Sequence, residues 1–124
     1  MSSGPKIPEI SPSIRCSRRG SCVPVALSCL TQLVERRDFI VEGWISFGSS
    51  GRQEHTWMQI DGVRFDPTII QFRRFREFSA GPRYESVLIM PPSQYLDRWL
   101  FQKSLWWHER LRLFGVPATN WAFA

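Results

Sequence analysis

Glu54-His55-Thr56-Trp57-Met58-Gln59-Ile60-Asp61-Gly62-Val63-Arg64-Phe65-Asp66-Pro67-Thr68 is the stretch that decides how this chain folds. Asp61-Gly62 stands between two alternating runs, and this dipeptide suits a two-residue hairpin turn because both central positions need positive φ. Such a turn sets the register: Ile60 opposite Val63, Gln59 opposite Arg64, Trp57 opposite Asp66 and His55 opposite Thr68. Side chains alternate across a strand, so one face carries Met58, Ile60, Val63, Phe65 and Pro67. The other carries His55, Trp57, Gln59, Arg64, Asp66 and Thr68. His55 and Asp66 become diagonal neighbours about 7 Å apart by backbone spacing, within reach of a side-chain hydrogen bond. A carboxylate so placed holds an imidazole in one tautomer and stabilises its protonated form. Pro67 biases Asp66 toward extended backbone, which fixes the direction of the carboxylate.

Upstream, Phe39 to Phe47 (FIVEGWISF) is dense in β-branched and aromatic residues and stops at Gly48-Ser49-Ser50-Gly51, which predicts a strand and a loop. Earlier still, Cys22 opens the run CVPVALSCLTQLVERR, in which Val23, Ala26, Leu27, Leu30, Leu33 and Val34 recur at spacings of three and four. This predicts a helix buried on most of its circumference, with Pro24 in the first turn where a missing N–H costs nothing. Residues 1–14, rich in Ser, Pro and Gly, read as a flexible N-terminal arm or an extended strap, and 15–124 as a single domain. Downstream, QFRRFREFSAGPRYES is irregular and basic, and SVLIM before Pro91-Pro92 reads as another buried strand. From Ser93, the residues Leu96, Trp99, Leu100, Lys103, Trp106, Trp107, Leu111 and Phe114 give a long C-terminal helix that stops at Gly115. The class is therefore α+β: a buried N-terminal helix packed on a small antiparallel sheet, plus a long C-terminal helix.

Cys22 follows Gly20-Ser21 at the start of the first helix, where unpaired backbone N–H groups and the helix dipole favour a thiolate over a thiol. A histidine beside it favours the thiolate further, and the Cys22 amide is a donor for a tetrahedral oxyanion. Among the other candidates, Cys29 lies two helical turns deeper and reads as core. Cys16, exposed among Arg15, Arg18 and Arg19, is the second choice for a reactive thiol, and His108 reads as a surface or partly packed residue of the C-terminal helix.

Composition bounds the alternatives. The chain is 43% hydrophobic, with six Trp and nine Phe, which excludes a disordered segment. Its net charge of +5 comes from clusters at Arg15, Arg18 and Arg19, at Arg36 and Arg37, and at Arg73, Arg74 and Arg76. These favour anionic partners in general and are read first as a solvated basic surface, so nucleic acid is not the favoured partner. Three cysteines without paired spacing form neither a disulfide framework nor a zinc site, so reduced thiols and no metal or cofactor are expected. The chain shows no apolar leader and no bilayer-length apolar run, which points to a cytoplasmic protein away from membranes.

Gly20-Ser21-Cys22 with Ala26 and Leu30, then Val41-Glu42-Gly43-Trp44, then His55-Thr56-Trp57 and Asp66-Pro67-Thr68, resembles the transglutaminase-like pattern among papain-like thiol enzymes. The resemblance runs from Gly20 to Thr68. It implies a papain-like core whose Cys-bearing helix packs on a sheet bearing His and Asp, with Cys22 as nucleophile, His55 as general base and acid, and Asp66 as orienter. The continuation from Asp66 to Phe72 is similar to the ending of small phage and bacterial proteins of the same arrangement. It makes Gln71 a candidate polar site contact, beside a capping or turn role. Trp57, in the H-x-W position, is expected either to wall the substrate pocket or to fill a sheet layer. Ile14 to Arg19 holds no Gln or Asn, which leaves the second oxyanion donor unassigned.

The expected function is a small thiol hydrolase or acyl transferase acting on amide bonds of a protein or peptide, with peptidase, deamidase and transglutaminase chemistry sharing its first half. The size of the chain favours hydrolysis. Two readings stand beside it. One is a catalytically silent papain-like module that docks a partner through Trp99, Trp106, Trp107 and Phe114 of the C-terminal helix. The other is a nucleic-acid binder using Arg73, Arg74 and Arg76 between Phe72, Phe75 and Phe78.

Overall fold

Phe39 to Phe47 does not alternate, and an apolar strand of that kind is stable only where both its faces are covered. In a computed structural model of the chain, which describes residues 7–12, 14–33, 37–49 and 51–101, this segment is strand β1 (Phe39–Phe47). It lies inside a four-stranded antiparallel sheet with β2 (Gln53–Ile60), β3 (Val63–Phe65) and β4 (Pro82–Met90), in the order β3-β2-β1-β4. Ile40 and Ile45 are an odd number of residues apart and point to opposite faces. On the first face Ile40, its partner Met58, Ile60 and Met90 pack against α1 (Cys22–Cys29) through Val23, Ala26 and Cys29. On the second, Ile45 and Phe47 meet Phe72, Phe75 and Phe78, the three rings lying 5.2 to 6.1 Å from that of Phe47.

The hairpin forms with the expected register: Ile60 pairs with Val63 and Gln59 with Arg64, around Asp61 and Gly62 at φ 50° and 81°. It is shorter than the alternation predicts. The ladder ends at Met58 opposite Phe65, so Trp57 does not pair with Asp66, nor His55 with Thr68. Pro67 has no N–H to continue the ladder and instead starts a 3-10 helix over Pro67–Phe72. Helix α1 is also shorter than its periodicity. After Cys29 the chain tightens into a 3-10 turn over Leu30–Gln32, and the Leu33 N–H donates to Leu30 O instead of to Cys29.

The irregular basic stretch holds a third 3-10 segment, Phe78–Ala80, and then the first half of β4, which begins at Pro82 and not at Ser86. β4 is an edge strand and largely exposed, Ile89 by 52%, contrary to the buried strand expected there. Proline is tolerated at the first position of such a strand. Helix α2 (Pro92–Phe101) follows, with Tyr95 fully buried against the first-face core. Lys103, Trp106, Trp107, His108, Leu111 and Phe114, the rest of the expected C-terminal helix, lie outside the described residues. Within the N-terminal arm, residues 7–12 follow α1 as a strap. Glu9 and Gln32 exchange two hydrogen bonds of 2.7 Å, and Ile10 packs on the core. Among the described residues no helix is long and apolar enough to cross a membrane.

Candidate active site

Cys22 is brought to its place by a folded turn. Gly20 takes φ 80°, the Ser21 N–H donates to Arg18 O at 3.1 Å, and the Ser21 hydroxyl donates to Cys16 O at 2.9 Å. The first α1 bond runs from the Val25 N–H to Ser21 O, so the amides of the first turn have no intrahelical acceptor and their positive end is directed at the Cys22 side of the helix. Gln71 locks this turn from outside the helix. Its Oε1 accepts the Gly20 N–H at 2.9 Å while its Nε2 donates to Thr68 O at 3.0 Å, joining the approach to Cys22 to the segment after Asp66.

His55 projects from β2 onto the second face of the sheet, where it is 2% exposed. β3 covers β2 only from Met58 to Ile60, so among the described residues the outer edge at His55 has no strand partner, which leaves room for the start of α1. The Nε2–H of His55 points at both Asp66 oxygens, at 2.8 and 2.9 Å. An ionised carboxylate can only accept, so the ring proton is held on Nε2 and Nδ1 is left as the basic nitrogen. Nδ1 is buried and makes no hydrogen bond among the described residues, while Cys22 is near enough to act on the ring.

The surroundings hold the pair in place. The Phe72 ring meets His55 edge-on at 4.9 Å, and Trp57 lies 5.9 Å away on the same face. Trp57 meets Tyr84 of β4 edge-on at 4.8 Å, and the Arg64 guanidinium stacks 3.7 Å over the Tyr84 ring. Tyr84 donates its hydroxyl proton to Asp66 Oδ2 at 2.6 Å, and Thr68 Oγ1 donates to Asp66 Oδ1 at 3.4 Å. Gly43 is paired with His55 in the ladder, and a Cβ there would meet the backbone carbonyl of Glu85 and come within 2.9 Å of Trp57 Cη2. Glycine at this position is what lets the indole lie across β1.

Burial works against a charged His55, but the hydrogen bond and charge of Asp66 and the nearby Cys22 outweigh it and push its pKa from 6.5 up to about 9. At neutral pH the ring is therefore imidazolium. Burial first, then the charge and hydrogen bond of Asp66, push the Tyr84 phenol up and keep it a donor, with Arg64 acting weakly the other way. Cys29, buried and with Cys16 adding to the effect, is pushed up to about 11 and is a poor thiolate.

The structure thus brings Cys22, His55 and Asp66 together from a helix start, a central strand and the residue after a hairpin. Of the two roles open to each, Trp57 fills a sheet layer, 4% exposed inside the aromatic cluster, and the half-buried Gln71 amide ties the Gly20 turn to Thr68. Tyr84 was not foreseen, because only the β1–β4 register, pairing Ile45 with Tyr84, carries it to Asp66. No group of three or more His, Cys, Asp or Glu among the described residues is arranged to hold a metal ion. Comparison with protein-family models, with curated proteins and with solved structures finds no match to the chain.

Proposed function

We propose that the chain is a small thiol hydrolase or acyl transferase on a papain-like core, acting on amide bonds of a protein or peptide. The observation that carries this reading is the clamp on His55: Asp66 fixes the proton on Nε2 at 2.8 and 2.9 Å and leaves Nδ1 for the thiol of Cys22. A buried histidine whose pKa is raised to about 9 beside a carboxylate and a cysteine places a proton donor and acceptor next to the Cys22 sulfur.

In this reading the Cys22 sulfur bonds to the amide carbonyl carbon, and the resulting oxyanion is stabilised by amides at the start of α1. His55 passes its Nδ1 proton to the leaving amine as the C–N bond breaks, giving a thioester. Water, deprotonated by Nδ1, then cleaves the thioester, returns the proton to His55 and restores the thiolate. With Cys22 only 4% exposed, substrate has to open the site as it binds.

A small activated ester at neutral pH tests the first half. Acid-quenched mass spectrometry is expected to find an acyl group on the peptide bearing Cys22, and at least about tenfold less in His55→Ala. Acylation confined to Cys16, or none in a folded wild-type protein, contradicts the reading and leaves the trio as a packed polar cluster.

A further inference from the structure

The turn before Cys22 and the 3-10 segment after Asp66 enclose a cavity of about 620 Å³. Arg15, Arg18 and Arg19 line it from the first segment and Arg73 and Arg74 from the second. All five are exposed, and none of them forms an ion pair with another described residue. Among the described residues no carboxylate lines the cavity; Gln53 and Gln71 supply its amides, and Phe72 and Phe75 its apolar surface. Like charges gathered in a concavity repel one another and focus a positive potential, so the site is arranged for an anion.

The cavity adjoins the proposed catalytic group through the same elements. Arg19 lies three residues before Cys22, Gln53 lies two before His55 on the same face of β2, Phe72 touches the His55 ring, and Gln71 bonds Gly20. We propose that it is a subsite for acidic side chains of a polypeptide, holding Asp or Glu residues that flank the bond attacked by Cys22. This rests on the thiol-enzyme reading for its catalytic half, whereas the binding half stands on the cavity alone.

Guanidinium forks match carboxylates bidentately, and the volume accommodates a few side chains. A single-stranded nucleic acid needs aromatic faces open for stacking. Here Phe72 is 6% exposed, its ring stacks on Phe75 at 5.8 Å, and both pack against Phe47. Arg73 also has a structural task, its Nη1 donating to Ser17 O at 3.1 Å and to Ile70 O at 3.2 Å, so the test spares it.

The test is fluorescence anisotropy at low ionic strength with a dye-labelled glutamate-rich peptide, its glutamine counterpart and a single-stranded oligonucleotide. The full chain is used as wild type, Cys22→Ala and Arg18→Gln/Arg74→Gln, each with folding checked by circular dichroism. The glutamate peptide is expected to bind at least about tenfold tighter than the glutamine one, and the double variant to lose about tenfold or more. Cys22→Ala is expected to bind like wild type. Equal binding of the two peptides, no loss in the folded double variant, or tighter binding of the oligonucleotide overturns the proposal. Acidic-peptide binding by a protein whose Cys22 takes no acyl group supports the subsite and removes the catalytic reading alone.

Discussion

Asp66 accepts from His55, Tyr84 and Thr68 together, and each donor holds the carboxylate in the orientation that fixes the imidazole. Removing the Tyr84 hydroxyl in Tyr84→Phe is expected to cost about 1.5–3 kcal/mol of stability, measured by urea unfolding, because a charge-assisted bond is lost. The folded state holds the His55 proton to about pH 9 and the unfolded chain only to 6.5. Its contribution to stability is therefore complete below pH 6.5 and disappears as pH rises through 9. Unfolding measured across this window should show falling stability, with a shallower slope in Asp66→Asn; a flat wild-type profile contradicts the pairing. Cys22, His55 and Asp66 were legible in the sequence because each has a local signal: a helix start, a strand position counted from Asp61-Gly62, and a residue before proline. Tyr84 has none. It is eighteen residues from Asp66 and reaches it only through strand pairing.

At the scale of elements, local chemistry foretold β1, the turn and the near part of the hairpin ladder, while boundaries set by tertiary contacts escaped it. The alternation continues past Phe65, but Asp66 leaves the ladder to face His55 and Pro67 starts a 3-10 helix. Periodicity carries α1 to Val34, yet its regular part ends at Cys29. Early β4 was hidden because Pro82 to Glu85 has little strand character until β1 pairs with it. Two substitutions test these joints. Gly43→Ala places a methyl group against Glu85 O and the Trp57 ring, and is expected to destabilise by about 1–3 kcal/mol in thermal or urea unfolding. Gln71→Leu leaves the Gly20 N–H without its acceptor and is expected to cost about 1–3 kcal/mol, again by urea unfolding, and to slow acylation of Cys22.

Across the whole molecule, the sheet has a core on each side, and the site lies where the two meet at the open edge of β2. The first-face core delivers Cys22 through α1; the second, built on Phe47, encloses His55. The α+β class and the buried helix on an antiparallel sheet were readable from the sequence. Where the second core forms was not, because nothing local shows that Phe72, Phe75 and Phe78 of the basic FRRFREF run fold over Ile45 and Phe47 of β1. Alkylation by iodoacetamide, followed residue by residue with mass spectrometry across pH, tests most directly whether these two halves make one reactive site. Cys22 is expected to react at neutral pH faster than a free-thiol peptide and far faster than Cys29, whose thiol is pushed up to about 11, and to lose that advantage in His55→Ala. A Cys22 rate no greater than the peptide's and unchanged in His55→Ala would contradict the account.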